Sequence, residues 1–350
     1  KESKAGKESV VLGGQASAAN IEQAVVIGHS ATASASQSIA IGANTKAEGY
    51  GSISIGGDDL KTTKYQTGNQ GQSKTTTAKG KASVAIGGMS VAEGEGSIVL
   101  GPLASASHTE GIAIGARSKS TNEYGIAVGG GATAGKNAVA LGKESKGTGA
   151  NSIAIGNSAK TTGADSVVVG ANINVTDGQL VAIGRQANAG SHSTALGYKA
   201  SASGMHSVAV GEEASTTTDR ATALGNNTVV TVGGGVALGY GSKADTAGGV
   251  VGLKQDHSVT TEATVENGFK STGSVDNNSI PIGAVSVGNN KIKRQIVNVA
   301  AGTQDTDAVN VAQLQSLTMK IGGDNSSSGK VGIWDGTLKV VGTSGEIKTS

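Results

Sequence analysis

Several residue types on which globular domains depend are scarce or missing in this chain of 350 residues. It has no cysteine, which excludes a disulfide framework and thiol chemistry. Aromatic residues make up only 2%, with one Phe and one Trp, so an ordinary aromatic core is excluded as well. No stretch approaches the roughly 18 apolar residues of a membrane-spanning helix. The formal net charge of +2 is too small to indicate nucleic-acid binding.

Glycine, by contrast, is abundant, with 57 residues, and many of them recur at a fixed interval. The phrase SIAIG at 38–42 returns as SVAIG at 83–87, SIAIG at 152–156 and SVAVG at 207–211. The glycines that close such phrases are 13 to 15 residues apart, except for one interval of 31. A unit of about 14 residues suits two short strands and two tight turns, which predicts one coil of a β-solenoid. These closing glycines are Gly13, Gly28, Gly42, Gly56, Gly87, Gly101, Gly115, Gly129, Gly142, Gly156, Gly170, Gly184, Gly197, Gly211, Gly225, Gly239 and Gly252.

The residues around each closing glycine indicate how the coil is packed. One and three residues before the glycine, Ile, Leu or Val is usual, and three and five residues after it the side chains are small. Because side chains alternate along a strand, we assign both sets to the interior of the coil. The residue two before the glycine, such as Ala154, is then expected outside. An exposed stripe of such small apolar residues predicts that further copies of the chain cover it.

The repeats stop near residue 252, and the rest of the chain changes character. Val311, Leu314, Thr318 and Ile321 follow the 3-4-3 spacing of a coiled-coil seam, which predicts a short stalk helix. The expected segments are a β-solenoid head over 1–252 with an inserted loop at 57–82, an irregular connector over 253–283, a neck over 284–310, a short coiled-coil stalk over 311–321, and the start of a further β-rich module over 322–350.

The coils, together with the phrase RQIVNVAAGTQDTDAVNVAQL at 294–314, resemble the head and neck of trimeric autotransporter adhesins of Gram-negative bacteria, the YadA-like family. The resemblance covers roughly residues 1–317. It implies an all-β fold, in which a left-handed parallel β-roll of 14-residue coils assembles as a homotrimer and leads into a neck and a short coiled-coil helix. It also implies a cell-surface protein, anchored to the outer membrane by a C-terminal barrel that is not present in this chain. The chain has no initiating Met or signal peptide, and we interpret it as a segment of a longer protein.

Residues that could carry chemistry are few, and no catalytic residues, cofactor or metal ion are predicted. His192 and His206 are 14 residues apart and are expected to stack on adjacent coils, but no acidic third ligand is evident beside them. Residues 130–137 nearly spell a phosphate-binding loop, with Asn137 where Ser or Thr would hold magnesium. We interpret both as structural.

The best candidate for ligand binding is the insertion at 57–82, because binding residues concentrate on loops carried by rigid scaffolds. A second candidate is the outward column four residues after the glycines. The prediction is a homotrimeric adhesin that binds host extracellular-matrix or cell-surface molecules such as collagen, fibronectin or laminin, and also other bacterial cells, without catalysis. The alternatives are a structural spacer that projects another binding domain, and a parallel β-helix carbohydrate-active enzyme. The candidate binding residues are Lys61, Lys64, Tyr65, Lys74, Lys79 and Lys81 in the insertion and Lys119, Lys146 and Lys160 in the column.

Overall fold

The computed structural model describes residues 2–61, 63–65, 75–256, 258–275, 279–322, 328–334 and 336–339. Its contacts divide the chain into two compact units, Lys1–Ala247 with Ile280–Ile292, and Gly248–Ser279 with Lys293–Ser350. The first unit is a parallel β-solenoid, which confirms the predicted all-β fold and the short coil period. In the described residues, no helix has the length and apolar character needed to cross a membrane.

Each coil contributes one strand to a sheet that runs the length of the solenoid, which we call sheet A. Its 17 strands are parallel and pair in register, so that Ala140, Ala154 and Val168 are neighbours on successive coils. The strands are Val10–Leu12, Val25–Ile27, Ile39–Ile41, Ile53–Ile55, Val84–Ile86, Ile98–Leu100, Ile112–Ile114, Ile126–Val128, Val139–Leu141, Ile153–Ile155, Val167–Val169, Val181–Ile183, Thr194–Leu196, Val208–Val210, Thr222–Leu224, Val236–Leu238 and Val285–Ser286.

The opposite side of the coils is formed by two-residue strands, which we call sheet B. It is also parallel and is divided into a ten-stranded and a five-stranded part. The ten strands are Thr32–Ala33, Lys46–Ala47, Thr77–Ala78, Val91–Ala92, Ser105–Ala106, Lys119–Ser120, Thr133–Ala134, Lys146–Gly147, Lys160–Thr161 and Asn174–Val175, and the five are Asn188–Ala189, Ser201–Ala202, Ser215–Thr216, Val229–Val230 and Lys243–Ala244.

Small side chains fill the space between the two sheets, and this corrects the sequence-based assignment of faces. Ala154 is fully buried, whereas Ile153 and Ile155 on the same strand are only partly buried. In sheet B the small residues point inward as predicted, with Thr45 and Ala47 fully buried. A coil of about 14 residues brings its two strands too close together for large side chains to meet between them. The large aliphatic residues of sheet A therefore lie on its outer surface.

The closing glycines are required by the backbone and by the stacking of the coils. Gly156 has φ +133°, in the left-handed region that glycine adopts without strain. A Cβ atom at this position would also collide with the carbonyl group of Gly170 on the next coil. The repeated glycine thus allows neighbouring coils to approach closely at this corner.

The last strand of sheet A comes from further along the chain than predicted. Residue Gly252 closes no coil strand; instead, Val285–Ser286 pairs with Val236 and Ala237 in the register of the solenoid. The phrase AVSVG at 284–288 fits the coil pattern, so the chain leaves the solenoid after Lys243–Ala244 and later returns to it. The predicted head boundary at 252 is therefore wrong, since residues of the predicted neck belong to the solenoid.

The second unit contains the helix α1, Val311–Gln315, which is shorter than the predicted helix over 311–321. The side chain of Asn310 accepts a hydrogen bond from the backbone N–H of Gln313 at 3.0 Å and caps the helix. The second half of the predicted seam is instead extended, because Thr318–Gly322 pairs antiparallel with Ser328–Gly332. So short a helix gains too little from its own hydrogen bonds to extend without a partner helix.

Along the chain, two further strands follow the last strand of sheet B and precede the last strand of sheet A. They are Ser274–Val275 and Ile280–Pro281, each two residues long.

Candidate adhesion surfaces

The outer face of sheet A is a continuous apolar surface. In-register pairing stacks its Ile, Val and Leu side chains in two columns, one and three residues before the closing glycines. Leu100, Leu141 and Leu224 are 45%, 43% and 49% exposed in the single chain. An apolar patch that spans so many strands is typical of a protein–protein interface. This face, and not the buried column that contains Ala154, is the apolar surface that the single chain exposes.

The outer face of sheet B is polar and carries the predicted lysine column. Lys119 and Lys146 are exposed, and Lys160 is partly buried. Lys146 and Lys160 are register partners on adjacent coils, while Thr133 separates Lys119 from Lys146. None of the ion pairs found in the described residues involves these three lysines. The structure therefore brings them together as a row of cations without carboxylate partners.

The insertion is shorter than predicted and replaces the turn that follows Gly56. Thr77–Ala78 pairs with Lys46–Ala47 in the ordinary sheet B position, so the extra residues lie in segment 57–75. Lys79 and Lys81 therefore belong to the coil and not to the loop. Lys74 falls outside the residues that the structure describes.

Lys79 has a carboxylate partner on the adjacent coil. Its Nζ atom lies 2.9 Å from Oε1 of Glu93, and both side chains are about half exposed. The hydrogen bond to Glu93 raises the pKa of Lys79 above its ordinary value, in spite of a smaller opposing effect of burial. A lysine that is already paired in this way is a weaker candidate for ligand binding than an unpaired one.

The described part of the loop lies along the edge of the solenoid. Asn44 Nδ2 donates to Asp58 Oδ2 at 2.7 Å, and the backbone N–H of Met89 donates to the carbonyl of Gly57 at 3.0 Å. Leu60 covers Gly88, where an added Cβ atom would come within 2.7 Å of Leu60 Cδ2. These contacts hold the beginning of the loop against the preceding coil, through Asn44, and against the following coil, through Gly88 and Met89.

The loop also reaches an arginine that sequence analysis did not identify. Arg117 Nη2 donates to the carbonyl oxygen of Tyr65 at 3.1 Å, and the guanidinium carbon lies 5.9 Å from the centroid of the Tyr65 ring. Lys64 Nζ lies 5.4 Å from the same centroid, whereas Lys61 pairs with Asp59 at 3.6 Å. Arg117 stands two residues after the closing glycine Gly115, and the insertion begins directly after the closing glycine Gly56, so both lie at the same corner of their respective coils. This shared position in the repeat is the signal by which the sequence could have identified Arg117.

The two minor candidates make contacts between adjacent coils. The rings of His192 and His206 stack on adjacent coils, as predicted, with centroids 4.8 Å apart and planes tilted by 43°. Within the described ranges, no cluster of three or more His, Cys, Asp or Glu residues could hold a metal ion. Asn137 donates to Asn151 at 3.1 Å, and Asn151 donates to Asp165 at 3.0 Å, as a ladder between coils.

Family models match coils of the solenoid and a segment of the second unit. A model of the coiled stalk of trimeric autotransporter adhesins matches residues 295–333. A model of the YadA head domain repeat, which contains two copies of the unit, matches at 22–45, 33–58, 78–104, 106–132, 148–172, 189–211 and 202–228.

Two individual proteins are similar to this chain. The autotransporter adhesin BadA of Bartonella henselae is 71% identical over 38 residues, which is 10% of this chain and 1% of that protein. The crystal structure of the collagen-binding domain of the Yersinia adhesin YadA aligns with 81% of this chain and 84% of its own, at 21% identity and a TM-score of 0.19. The matched segment of this chain thus covers about 1% of the length of BadA. At a TM-score of 0.19, nothing is inferred from the second match.

Proposed function

The chain belongs to the YadA-like family of trimeric autotransporter adhesins, and from this premise we propose that it is the head and neck segment of a homotrimeric adhesin. In this proposal, the trimer stands on the bacterial cell surface, held at the outer membrane by other parts of the protein. It attaches the cell to host matrix or cell-surface molecules and catalyses no reaction. The observation that carries the proposal is the contrast between the apolar outer face of sheet A and the polar outer face of sheet B.

The apolar face supports the trimer. Three chains around one axis can each turn sheet A inward, so that the columns containing Leu100, Leu141 and Leu224 become buried. Removing apolar surface from water contributes about 25 cal/mol per Å². Even partial burial along all 17 strands would therefore provide a large driving force for association.

The polar face supports ligand binding. With sheet A turned inward, the outer face of sheet B, which carries the exposed Lys119 and Lys146, remains in contact with solvent in every copy. Each exposed cation binds weakly by itself, but three copies of every site raise the avidity without any new contact. Binding that relies on such cations is expected to weaken as salt concentration rises.

A binding screen with the purified trimer tests this proposal. Immobilised collagen, fibronectin and laminin serve as ligands, and whole bacterial cells serve as a further surface. Two variants are compared with the parent: Lys119, Lys146 and Lys160 replaced by Gln, and residues 57–75 replaced by Ala-Asn, the turn of the preceding coil. We expect both variants to remain trimeric and to lose the salt-dependent part of binding to at least one ligand.

Three ion-paired lysines provide the matched control. Lys7, Lys143 and Lys199 lie 3.6 to 3.8 Å from glutamate carboxylates. Their replacement by Gln removes as many positive charges as the replacement of Lys119, Lys146 and Lys160. This control is expected to bind like the parent. If the parent trimer binds no matrix protein, no glycan and no bacterial cell, the adhesin function fails for this segment, and the role of a structural spacer is favoured instead.

A further inference from the structure

The ring of Tyr65 lies close to two cations that come from different parts of the chain. Lys64 precedes it in the loop, and Arg117 belongs to a coil further along the solenoid. At 5.4 and 5.9 Å from the ring centroid, both charged groups are within the range of cation–π attraction. The aromatic ring therefore attracts both cations and offsets part of the repulsion between them.

This arrangement is held by the scaffold. Arg117 has φ +60°, and its backbone N–H donates to the carbonyl of Pro102 at 2.9 Å, which fixes the corner from which its side chain extends. The hydrogen bond from Arg117 Nη2 to the Tyr65 carbonyl uses one of the five guanidinium N–H groups. The remaining donors are available to a ligand, and the seat of Leu60 on Gly88 holds the start of the loop in place.

The cations near Tyr65 are not neutralised. Asp59, a nearby acid of the loop, pairs with Lys61, and Asp58 accepts a hydrogen bond from Asn44. Among the described residues, no carboxylate lies within ion-pair distance of Lys64 or Arg117. Two exposed cations at this corner therefore present a positive site that attracts an anion from outside the chain.

We propose that Lys64 and Arg117, held together at Tyr65, form an anion-binding subsite that takes the sulfate groups of a sulfated glycan. This inference rests on the proposed adhesin function and names a ligand class for it. A guanidinium group binds an oxyanion through two parallel hydrogen bonds, and the neighbouring ammonium group adds a third contact. An exposed pair of cations holds a single small anion only weakly. A polyanion whose sulfates repeat along one chain can occupy the subsites of several copies at once, which makes a glycan the favoured ligand.

Binding of the trimer to immobilised heparin, with chemically desulfated heparin as the comparison, tests the subsite. Arg117→Gln and Lys64→Gln are each expected to weaken binding about tenfold, because each removes charge-assisted hydrogen bonds to sulfate. Arg117→Lys is expected to restore only part of the affinity, since lysine keeps the charge but not the bidentate geometry. Gly88→Val should weaken binding without any change of charge, because its side chain displaces Leu60 from its seat.

Lys143→Gln is the matched control. Lys143 directly follows Gly142, which is the second closing glycine after Gly115, and it is paired with Glu144 at 3.8 Å. Its replacement should therefore leave heparin binding within about twofold of the parent.

Equal binding of sulfated and desulfated heparin, or unchanged binding by Arg117→Gln, overturns the subsite. If heparin binding is absent while collagen, fibronectin or laminin still binds, the subsite fails and the adhesin function stands. Heparin binding that depends on Arg117, without binding to any matrix protein, supports the subsite and removes matrix proteins from the proposed function.

Discussion

The two outer faces of the solenoid differ in chemistry although the same short coils build both. Sheet A presents partly exposed Ile, Val and Leu side chains, whereas sheet B presents Lys, Ser, Thr and Asn. Between them, small residues such as Ala154 on one side and Ala47 on the other form a narrow interior. In so thin a coil, the largest apolar side chains lie outside, where they are available to other chains. Hydrophobicity alone therefore identifies an exposed surface here and not the core.

The largest effect is expected from a charge placed in the interior. Ala154→Lys would bury an ammonium group among Ala140, Val168 and Ala159, none of which can pair with it. We expect the free energy of unfolding to fall by at least about 3 kcal/mol, with loss of the coil structure around it. Thermal unfolding followed by circular dichroism measures this change. A variant as stable as the parent would mean that Ala154 does not face the interior.

A charge on the neighbouring residue should separate folding from assembly. Ile155→Lys lies on the outer face of sheet A, where the ammonium group can reach water in a single chain. In a trimer, three such charges would be desolvated close together, which is strongly unfavourable. We expect sedimentation equilibrium to give one chain per particle, compared with three for the parent, while the β-sheet signal is retained. A trimeric Ile155→Lys variant would show that sheet A is not the interface between chains.

A much smaller effect is expected from the ion pair on the sheet B side. Lys79→Gln should lower the free energy of unfolding by about 0.5 kcal/mol, because the pair with Glu93 is half exposed. Folding raises the pKa of Lys79, so the ion pair contributes its full stabilisation at pH values below the ordinary lysine pKa of 10.5. This stabilisation is lost as the pH rises above 10.5 and through the raised pKa of the folded state. Urea unfolding at pH 8 and pH 11 checks this: the difference between parent and variant should narrow at the higher pH.

The smallest effect is expected in the lysine column. Lys160→Glu places a carboxylate next to Lys146 on the adjacent coil and replaces a repulsive pair by an attractive one. We expect the trimer to persist and the free energy of unfolding to stay within about 0.5 kcal/mol of the parent. Thermal unfolding beside Ile155→Lys provides the contrast between the two faces. A loss as large as that of the interior variant would contradict the assignment of this column to solvent.

Much of the coil geometry could be predicted from the sequence. The spacing of glycines such as Gly142, Gly156 and Gly170 predicted the coil length, because a corner with positive φ and close coil contacts must recur in each unit. Alternation along Ile153–Ile155 predicted that Ala154 and its neighbours face opposite ways. It could not say which way was inward, since this depends on the distance between the two strands of a coil.

The candidate binding residues show the same limit. Lys119, Lys146 and Lys160 were predicted to share an outward column, since they occupy one position of the repeat, and they do so in the structure. Lys79 was assigned to the insertion, although the coil resumes at Thr77–Ala78. Whether either set binds a ligand stays a prediction.

By itself, the sequence determined the period of the coils, the alternation of their side chains and the family resemblance, because each of these follows from residues near one another along the chain. Only the tertiary structure decided which face of sheet A is buried, that Val285–Ser286 supplies its last strand, and that Arg117 meets Tyr65. These outcomes depend on how closely strands stack and on where a distant segment returns. Local sequence patterns specify neither, since the space between two strands is set by every coil packed against them.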